Sequence, residues 1–356
     1  MTGTILNKKV TGTIFRKKYL SPFSKTFITG INGFIGSNLA TRLIAEGQEV
    51  SGLVRKTSNL SFLEGLKVKL FFGDLSDKAL LDKATQGIDV VYHVAGRASD
   101  WGPMELFRKV NVEGTKNLME SSVNSGVKRF VFISSAAVHG FRGFRDATED
   151  SPKTATIFPY SITKREAEDL VNRYHRERGL PTLIIRPGNV FGPRDRVTFA
   201  KMAELIEKGQ MVYISRGRPL TCPTYVENLI DAILLAVDRK DTVGETFIIT
   251  DGLEITWKEY MDKIAEKLGV RRPLFSVPYA VAYSAAAVCE AILKLFRSKK
   301  PPIITRYRIA NVGKDYHFTI KKARAKLGYQ PRVSLDEGMK RTVEWYKSNS
   351  RYHVKS

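Results

Sequence analysis

Three glycines, each separated from the next by two residues, constrain the fold of this chain more than any other feature. Gly30, Gly33 and Gly36 follow a short apolar stretch, residues 26–29, and lead into a helical stretch, residues 35–46. Between a strand and a helix, this spacing is typical of a turn that binds a pyrophosphate. The first glycine permits the tight turn, the second lets the ligand approach the backbone, and the third lets helix and strand pack closely. The free N–H groups of the helix then face the phosphates.

Strand and helix patterns alternate along the first half of the chain. The sequence predicts further strands at residues 49–54, 68–72, 90–94, 130–134 and 182–186, and helices that include residues 104–125 and 160–178. Such alternation implies a parallel sheet with helices on both faces. We therefore predict an α/β fold, a doubly wound parallel sheet of the Rossmann type.

The pattern loosens after about residue 190, where a smaller, interleaved C-terminal substrate domain is predicted. It has helices near residues 198–208, 225–238, 256–268 and 278–296 and a strand at residues 246–249. Residues 1–24 are interpreted as a basic N-terminal extension, residues 25–190 as the dinucleotide-binding Rossmann domain, residues 191–347 as mainly the substrate domain, and residues 348–356 as a tail. Late segments of such folds often return to the main sheet, so this boundary is open.

The charge of the chain is unusual, with 58 Lys and Arg against 36 Asp and Glu, a net charge of +22. A field of this sign favours anionic partners such as a phosphorylated cofactor, an acidic substrate or an anionic membrane, although a solvated basic surface would have the same composition. The basic residues are spread along the chain and form no recognised nucleic-acid-binding motif. We therefore expect no nucleic-acid partner.

The cysteine content bears on the compartment. Cys222 and Cys289 are the only cysteines and lie far apart, which leaves neither a disulfide framework nor a Cys-x-x-Cys metal site. We therefore expect the reducing environment of the cytoplasm and no bound metal. The basic extension lacks the apolar core that a secretion signal needs.

The end of the second predicted strand bears on the choice between NAD and NADP. An acidic residue there would accept hydrogen bonds from the adenosine ribose, but residues 53–56 are Leu-Val-Arg-Lys. Arg55 suits the 2′-phosphate of NADP, so NADP is favoured over NAD. The alternative is that Arg55 stacks on the adenine and that NAD binds as well.

Asp74 follows the third predicted strand, in the sequence Gly73-Asp74-Leu75. At this position its carboxylate would accept a hydrogen bond from the adenine amino group. It would equally serve as a cap for the turn into the next helix. The sequence leaves both interpretations open.

Tyr160 and Lys164 are four residues apart on a predicted helix, so both side chains project from one face. A phenol with a pKa near ~10 is a poor base at neutral pH. A neighbouring ammonium and a positively charged nicotinamide stabilise the phenolate and lower that pKa. The pair therefore predicts acid–base catalysis, with Lys164 also able to bind the nicotinamide ribose.

Ser135 is the predicted third member of this catalytic set. It follows the strand at residues 130–134, at the carboxyl edge where open α/β sheets bind ligands. Its hydroxyl would hold the substrate oxygen while Tyr160 transfers the proton. Ser134 is the competing candidate, and either serine would also serve as a cap for the chain as it leaves the sheet.

Taken in order, these motifs resemble those of the extended short-chain dehydrogenases/reductases over residues 25–347. The matching pieces are Gly30-x-x-Gly33-x-x-Gly36, Gly73-Asp74-Leu75, His93-Val-Ala-Gly96, Asn111-Val-Glu-Gly-Thr115, Ser134-Ser135-Ala-Ala-Val-His-Gly140, Tyr160-x-x-x-Lys164 and Arg186-Pro-Gly-Asn-Val-Phe-Gly-Pro193. The resemblance implies that Ser135, Tyr160 and Lys164 are catalytic. The residues expected to bind NAD(P) are Gly30, Asn32, Gly33, Phe34, Ile35, Gly36, Arg55, Asp74, Leu75, Ala95, Asn111, Tyr160, Lys164, Pro187 and Val190.

Within this superfamily the chain most resembles the 3β-hydroxysteroid and sterol-4-carboxylate dehydrogenase branch, and it is similar to bacterial 2-alkyl-3-oxoalkanoate reductases. The similar segments are Thr224-Tyr-Val-Glu-Asn228, residues 277–283, Pro301-Pro302 with Thr305-Arg306, and residues 323–331. The branch implies an alcohol or ketone, β to a carboxyl group, on a large apolar small-molecule substrate. The direction of reaction is left open. A homodimer through the helices at residues 104–125 and 160–178 is also implied.

Two other functions compete with this hypothesis. A nucleotide-sugar epimerase or dehydratase uses the same catalytic set and must also bind a diphosphate. The arginines that would bind it are Arg194, Arg196, Arg216 and Arg218. The alternative is that these arginines only form a basic surface loop. His139 stands where the sugar epimerases usually have Tyr, which disfavours a sugar. A non-enzymatic NADP-sensing module is disfavoured by the intact catalytic set.

Residues 274–300 predict a peripheral contact with an anionic membrane. The segment is apolar, but Glu290 and Lys294 interrupt it, and a span needs about 20 mostly apolar residues. Basic residues flank it, namely Arg271, Arg272, Arg297, Lys299 and Lys300. An apolar anchor with a basic rim is typical of an interfacial helix. The alternative is that the helix packs on the substrate domain as part of its core.

Overall fold

The computed structural model of the chain describes residues 22–298 and 300–349. The predicted N-terminal extension, apart from residues 22–24, and the predicted tail from residue 350 lie outside the described residues. The described residues form fifteen strands: β1 Lys25–Thr29, β2 Glu49–Val54, β3 Val68–Phe72, β4 Val90–His93, β5 Arg129–Ile133, β6 Phe144–Ala147, β7 Thr182–Pro187, β8 Asn189–Phe191, β9 Tyr213–Ile214, β10 Leu220–Thr221, β11 Pro223–Tyr225, β12 Thr246–Ile249, β13 Ile255–Thr256, β14 Ser276–Val277 and β15 Tyr316–Phe318.

Seven of these strands form one parallel sheet in the order β12-β7-β5-β4-β1-β2-β3. The order reverses between β1 and β4, which is the position where such sheets bind ligands at their carboxyl ends. The predicted Rossmann-type fold is therefore confirmed. The predicted strands of the first half differ from the observed ones by no more than one residue at either end.

Twelve α-helices accompany the strands in the described residues: α1 Phe34–Ala45, α2 Lys78–Thr85, α3 Met104–Arg108, α4 Gly114–Asn124, α5 Pro159–Arg178, α6 Phe199–Glu207, α7 Val226–Val237, α8 Trp257–Leu268, α9 Tyr279–Leu295, α10 Arg306–Gly313, α11 Lys321–Leu327 and α12 Leu335–Ser348. The predicted helix at residues 104–125 is observed as α3 and α4 joined by one π-helical turn, Lys109–Glu113. Such turns are frequent at functional sites.

Both faces of the main sheet are buried, which explains why its strands are apolar without alternation. On one face Val131 and Ile133 of β5 pack with α1, α7 and α11. On the other face Phe130 and Phe132 of the same strand pack with α2, α4 and α5. Successive residues of each strand thus serve two separate cores.

The second half of the chain contributes to the main sheet and also builds a core of its own. β12 returns to the sheet beside β7, with Thr246 opposite Ile184. The separate core packs α6, α8 and α12 around Trp257, Tyr260 and Met339. The short strands pair two by two, as β8-β11, β10-β13, β9-β14 and β6-β15. The interleaving of the second half with the sheet follows from this arrangement.

Candidate active site

The glycine turn has the geometry that its sequence predicts. Gly30 has a φ of +71°, and a Cβ placed on it would lie 2.9 Å from the Cα and N of Ala95. A Cβ on Gly36 would lie 2.2 Å from the carbonyl oxygen of Gly30. Residues larger than glycine are therefore excluded at Gly30 by the loop after β4 and at Gly36 by the turn itself.

The N-terminus of α1 is open to an anion. Gly33 is its exposed N-cap residue, no side chain of the described residues caps the helix, and the first turn contains no acidic residue. Phe34 and Ile35 form the first turn, and Asn32 before them donates from Nδ2 to the carbonyl oxygen of Asn59 at 3.3 Å. An uncapped helix end behind a glycine turn fits a dinucleotide pyrophosphate.

Arg55 and Asp74 follow β2 and β3 at the same edge of the sheet, and both are exposed. The Asp74 Oδ1 accepts hydrogen bonds from the N–H and the hydroxyl of Ser76, at 2.7 and 2.5 Å. These bonds, rather than Arg55, are the main reason that the pKa of Asp74 is lowered. Asp74 therefore stabilises its own turn, and its contact with adenine stays a prediction. Leu75 is buried, and its contact with the cofactor also stays a prediction.

Ala95, Pro187 and Val190 also lie at the carboxyl edge of the sheet. The Ala95 N–H donates to the hydroxyl of Thr29 at 3.2 Å, which holds the loop after β4 against β1. Pro187 ends β7, and Val190 lies in β8 immediately after it. Their position is compatible with the predicted contacts to the cofactor.

Tyr160 lies in the first turn of α5, after Pro159 at the first helical position. Its half-buried side chain is hydrogen bonded to Ser135. Burial raises the pKa of the Tyr160 phenol, and the bond to Ser135 partly offsets that effect. In the cofactor-free protein the phenol is therefore protonated at neutral pH.

Lys164 reaches into the sheet from the same face of α5. Its Nζ donates to the carbonyl oxygen of Ile133 at 2.7 Å and lies 4.7 Å from the centre of the Phe132 ring. Burial lowers the pKa of Lys164 to about 8, while the charge of Glu168 raises it. A Cβ on Gly96 would lie 3.5 Å from Nζ, so the loop after β4 passes closely over the ammonium.

The two serines after β5 have different environments. Ser134 is buried and donates from its hydroxyl to Glu168 at 2.6 Å. Ser135 is less buried, bonds to Tyr160, and accepts from the N–H of Ala137 at 3.1 Å as the cap of a short helix, Ala136–His139. Ser135 is thus the serine that the structure brings to Tyr160.

Asn111 is buried in the π-helical turn and connects two parts of the site. Its Oδ1 accepts from the N–H of Arg97 at 2.7 Å, and its Nδ2 donates to the hydroxyl of Thr163 at 3.0 Å. The side chain thus fastens the loop after β4 to α5, next to Lys164. A direct contact between Asn111 and the cofactor stays a prediction.

A buried polar network lies behind the site, which the sequence analysis did not predict. Arg186 donates to Glu168 and, at 2.8 Å, to the carbonyl oxygen of Glu149. Its Nη1 also lies 3.2 Å from Nε2 of His139. Burial and the charge of Arg186 lower the pKa of His139 to about 4, so its imidazole is neutral. Because His139 is fully buried here, it does not distinguish substrates by contact.

Aromatic rings cover the outer side of Tyr160, and these too were not predicted. The Tyr307 ring lies 6.3 Å from that of Tyr160, between centroids. Phe141 and Phe158 lie 5.1 and 5.3 Å from Tyr307, and Tyr283 of α9 packs in the same cluster. The substrate side of the site therefore has an apolar wall with phenol groups in it.

The four arginines considered for a diphosphate clamp have different neighbours. Arg194 and Arg196 lie 5.7 and 4.2 Å from the centre of the Phe62 ring. Arg216 and Arg218 are exposed, and the N–H of Arg216 donates to the hydroxyl of Ser276 at 2.7 Å. The described contacts do not bring the four guanidinium groups together.

Within residues 22–298 and 300–349, no group of three or more His, Cys, Asp or Glu side chains could hold a metal ion. No helix within the same ranges has the length and apolar character needed to cross a membrane.

The chain belongs to the NAD dependent epimerase/dehydratase family, whose sequence profile matches residues 26–250. It is an NAD(P)-dependent oxidoreductase of the extended short-chain dehydrogenase/reductase type, as the motifs predicted. The fold, the glycine turn and the Ser135, Tyr160 and Lys164 group agree with this assignment.

Three curated relatives indicate the range of activities near this chain. One is the 3beta-hydroxysteroid-dehydrogenase/decarboxylase isoform 2 of Arabidopsis thaliana, 31% identical over 86% of this chain and 56% of the relative, so the chain spans little more than half of that protein. Another is the human sterol-4-alpha-carboxylate 3-dehydrogenase, decarboxylating, 29% identical over 90% of this chain and 87% of the relative. The 2-alkyl-3-oxoalkanoate reductase of Stenotrophomonas maltophilia is 27% identical over 89% of this chain and 98% of the relative.

A solved structure shows the same fold with a cofactor in place. The dTDP-glucose 4,6-dehydratase of Streptomyces venezuelae, with NAD bound, is 25% identical and superimposes with a TM-score of 0.75, over 92% of this chain and 98% of the other. NAD(P) dependence is thus a property of the family.

Proposed function

We propose that the protein interconverts a secondary alcohol and a ketone on a large apolar substrate, with Ser135, Tyr160 and Lys164 as its catalytic residues. The observation that carries this proposal is the convergence of these three side chains at the carboxyl edge of the sheet, beneath the aromatic wall of Tyr307, Phe141 and Phe158. An apolar wall suits a hydrocarbon body better than a sugar diphosphate.

The site fits a nicotinamide dinucleotide. The open N-terminus of α1 and the glycine turn would hold the pyrophosphate, and Lys164 lies where it would bind the ribose next to the nicotinamide. When bound, the nicotinamide supplies the hydride acceptor for alcohol oxidation or the donor for ketone reduction.

Tyr160 holds the proton that moves to or from the substrate oxygen. In alcohol oxidation its phenolate takes the hydroxyl proton, and in ketone reduction its phenol gives one back. Ser135 orients the same oxygen by a hydrogen bond. The bond to Ser135 partly offsets the rise in the pKa of the Tyr160 phenol that burial causes. A positive charge close to the phenolate would stabilise it further, and we propose that the ammonium of Lys164, four residues further along the helix, supplies that charge.

We further propose that the reacting oxygen lies β to a carboxyl group. The printed names of the relatives support this class, since sterol-4-carboxylates and 2-alkyl-3-oxoalkanoates share that arrangement. Oxidation of such a hydroxy acid gives a β-keto acid, which loses carbon dioxide without further catalytic groups. No extra acid or base is then needed for that step.

The experiment is a substrate panel followed through the absorbance of the reduced nicotinamide. It contains a 3β-hydroxysteroid 4-carboxylate, a 2-alkyl-3-oxoalkanoate and UDP-glucose, each with NADP(H) and with NAD(H). Turnover of either acid with net change of the nicotinamide is expected. Epimerisation or dehydration of the nucleotide sugar, with turnover of neither acid, would overturn the proposal in favour of the sugar-nucleotide alternative. No turnover with any compound would leave the sensing-module alternative.

NADP is the cofactor that we propose over NAD. Support comes from Arg55, which is exposed at the end of β2 and has no carboxylate beside it at positions 53–56. A guanidinium at this place would bind the 2′-phosphate. Titration of the protein with NADPH and NADH tests the preference, and tighter binding of NADH would overturn it.

We also propose that the protein is cytoplasmic and binds anionic membrane surfaces through residues 274–300. Leu274, Phe275, Leu295 and Phe296 are each more than 70% exposed, at the two ends of this segment. Between residues 269 and 308 the only acidic residue is Glu290, and its carboxylate pairs with Arg306. Exposed apolar side chains in a stretch with such an excess of basic residues suit anionic lipid.

The membrane proposal is tested by co-sedimentation with phosphatidylserine-containing and with pure phosphatidylcholine vesicles. Binding to the anionic vesicles that weakens in high salt is expected, and it should be lost in the triple variant Leu274→Ser, Phe275→Ser, Phe296→Ser. Val197→Ser, a change at another exposed apolar residue, is the matched control. Equal and negligible binding to both vesicles would overturn the proposal.

A homodimer through the helices at residues 104–125 and 160–178 is the assembly that we propose. The π-helical turn, α4 and α5 form a groove in this region, lined by Val112, Glu113, Lys116, Glu120, Leu170, Arg173, Tyr174, Glu177 and Arg178. Such a groove suits the same surface of a second copy. Sedimentation equilibrium should give a dimer that Val112→Asp weakens, whereas a monomer at micromolar concentration would overturn the proposal.

A further inference from the structure

Tyr307 lies beside Tyr160 at the substrate side of the site. The two ring planes are nearly perpendicular, at 80°, with centroids 6.3 Å apart. Phe141 and Phe158, whose rings are themselves 5.9 Å apart, pack edge-on against the Tyr307 ring at 5.1 and 5.3 Å. The ring is therefore part of the aromatic wall, while its side chain is only half-buried.

The Tyr307 hydroxyl makes no hydrogen bond to any residue within 22–298 and 300–349. Burial, and then the proximity of Tyr160 and Asp100, raise the pKa of this phenol. It is therefore a neutral hydrogen-bond donor at every pH at which the enzyme would work. A free donor next to a reacting group is available to a ligand.

Ion pairs on both sides fix the position of Tyr307 at the start of α10. Arg306 pairs with Glu290 of α9 at 2.8 Å. Arg308 pairs at 2.7 Å with Asp100, in the loop after β4. Asp100 also accepts a hydrogen bond of 2.6 Å from Thr305. The phenol is therefore held between the substrate-side helices and the loop that passes over Lys164.

We propose that Tyr307 is a specificity-determining residue that donates a hydrogen bond to the second oxygen-bearing group of the substrate, the carboxylate carried by the carbon next to the reacting carbon. This inference rests on the proposed function. Tyr160 would then bind the oxygen on the reacting carbon, and Tyr307 would bind an oxygen of the carboxyl group, two carbons away. A site built to bond such a group discriminates strongly against the analogue that lacks it.

The test compares Tyr307→Phe with the wild type on two matched substrate pairs. One pair is a 3β-hydroxysteroid with and without its 4-carboxyl group, and the other is a 3-oxo acid with a ketone of similar length that lacks the carboxyl group. Tyr279→Phe is the matched control, because it removes a phenol that stacks on Tyr283 rather than on Tyr160. NADPH binding and thermal unfolding are measured for each variant.

Tyr307→Phe should lower kcat/KM for the acid by about 10-fold to 100-fold, the loss expected for one hydrogen bond to a charged group. The change should lie mainly in KM, and kcat/KM for the carboxyl-free partner should stay within about 2-fold of wild type. Tyr279→Phe should leave both values unchanged.

The possible failures are distinguishable. If Tyr307→Phe affects both members of a pair equally, or neither, the role of Tyr307 is overturned while the proposed function stands. If the wild type turns over no member of either pair, the proposed function fails and this inference fails with it. A Tyr307→Phe protein that loses NADPH binding would show a structural role instead.

Discussion

The guanidinium of Arg186 donates two hydrogen bonds of 2.8 Å to the carboxylate of Glu168, and both side chains are buried. Burial alone would raise the pKa of Glu168, but Arg186 holds it below its usual value. Glu168 is one helical turn beyond Lys164 on α5 and also accepts from Ser134. The pair therefore joins α5 to the sheet directly behind Tyr160 and Lys164.

Removal of one charge from this pair should destabilise the protein strongly. Glu168→Gln leaves Arg186 charged and buried, which typically costs about 3–5 kcal/mol. Urea unfolding followed by circular dichroism measures the change. The control is Glu166→Gln on the same helix, which breaks a pair with the largely exposed Arg108 and should have little effect. Equal stability of the two variants would contradict the importance assigned to the buried pair.

The two adjacent serines should separate activity from stability. Ser135→Ala removes the hydroxyl that is bonded to Tyr160, so turnover should fall by about 100-fold with little loss of stability. Ser134→Ala should leave turnover near normal. It removes a hydrogen bond to a buried carboxylate, so the free energy of unfolding should fall by about 1–3 kcal/mol. Steady-state kinetics and urea unfolding of both variants are the measurements. The reverse pattern would mean that Ser134 is the catalytic serine.

Arg55→Asp should reverse the preference between the two cofactors. The carboxylate would repel the 2′-phosphate of NADPH and accept hydrogen bonds from the free ribose hydroxyls of NADH. The ratio of the two dissociation constants should change by roughly 100-fold, which fluorescence titration measures. Lys67→Asp, the same kind of charge change at the opposite edge of the sheet, is the control. An unchanged ratio in Arg55→Asp would exclude the assigned contact.

The buried ammonium of Lys164 should make stability depend on pH. Burial lowers its pKa to about 8 in the folded protein, from 10.5 for an unperturbed lysine. Below pH 8 the lysine is charged in both the folded and the unfolded protein. Burial of the charge then lowers the free energy of unfolding by its full amount, about 3 kcal/mol. Above pH 8 the folded state loses the proton first, so stability rises with pH.

Lys164→Met removes this titration and serves as the reference. All other charges titrate nearly alike in the two proteins, so the difference between their free energies of unfolding reports on Lys164. Between pH 8 and 10 the free energy of unfolding of the cofactor-free wild type should rise relative to that of Lys164→Met. Urea unfolding at several pH values measures the difference. A difference that is constant over this range would show that the pKa of Lys164 is not depressed.

The parts of the fold that the sequence predicted depend on local signals. Gly30, Gly33 and Gly36 lie within seven residues, and strands such as β5 are continuous apolar runs between polar turns. Tyr160 and Lys164 share a face of one helix. The residues that specify these features lie close together in sequence, so the spacing of residue types was sufficient to predict them.

The features that were missed depend on contacts between distant residues. Tyr307 reaches Tyr160 across 147 positions, through ion pairs such as that of Arg308 with Asp100. Strands of two or three residues, such as β14, are too short to show the alternation by which a strand is predicted from sequence. α12 is different: Ser334 caps it and Glu337 follows three residues later, a local pattern that is typical of a helix start.

The role assigned to Tyr160 is tested most directly by the turnover of Tyr160→Phe. The substituted ring fills the same space, so NADPH binding and thermal unfolding should match the wild type. Turnover of the acid substrate, followed through the absorbance of the reduced nicotinamide, should fall by at least ~100-fold, because the proton donor and acceptor at the substrate oxygen is lost. Near-normal turnover by a folded, NADPH-binding Tyr160→Phe protein would contradict the proposed chemistry.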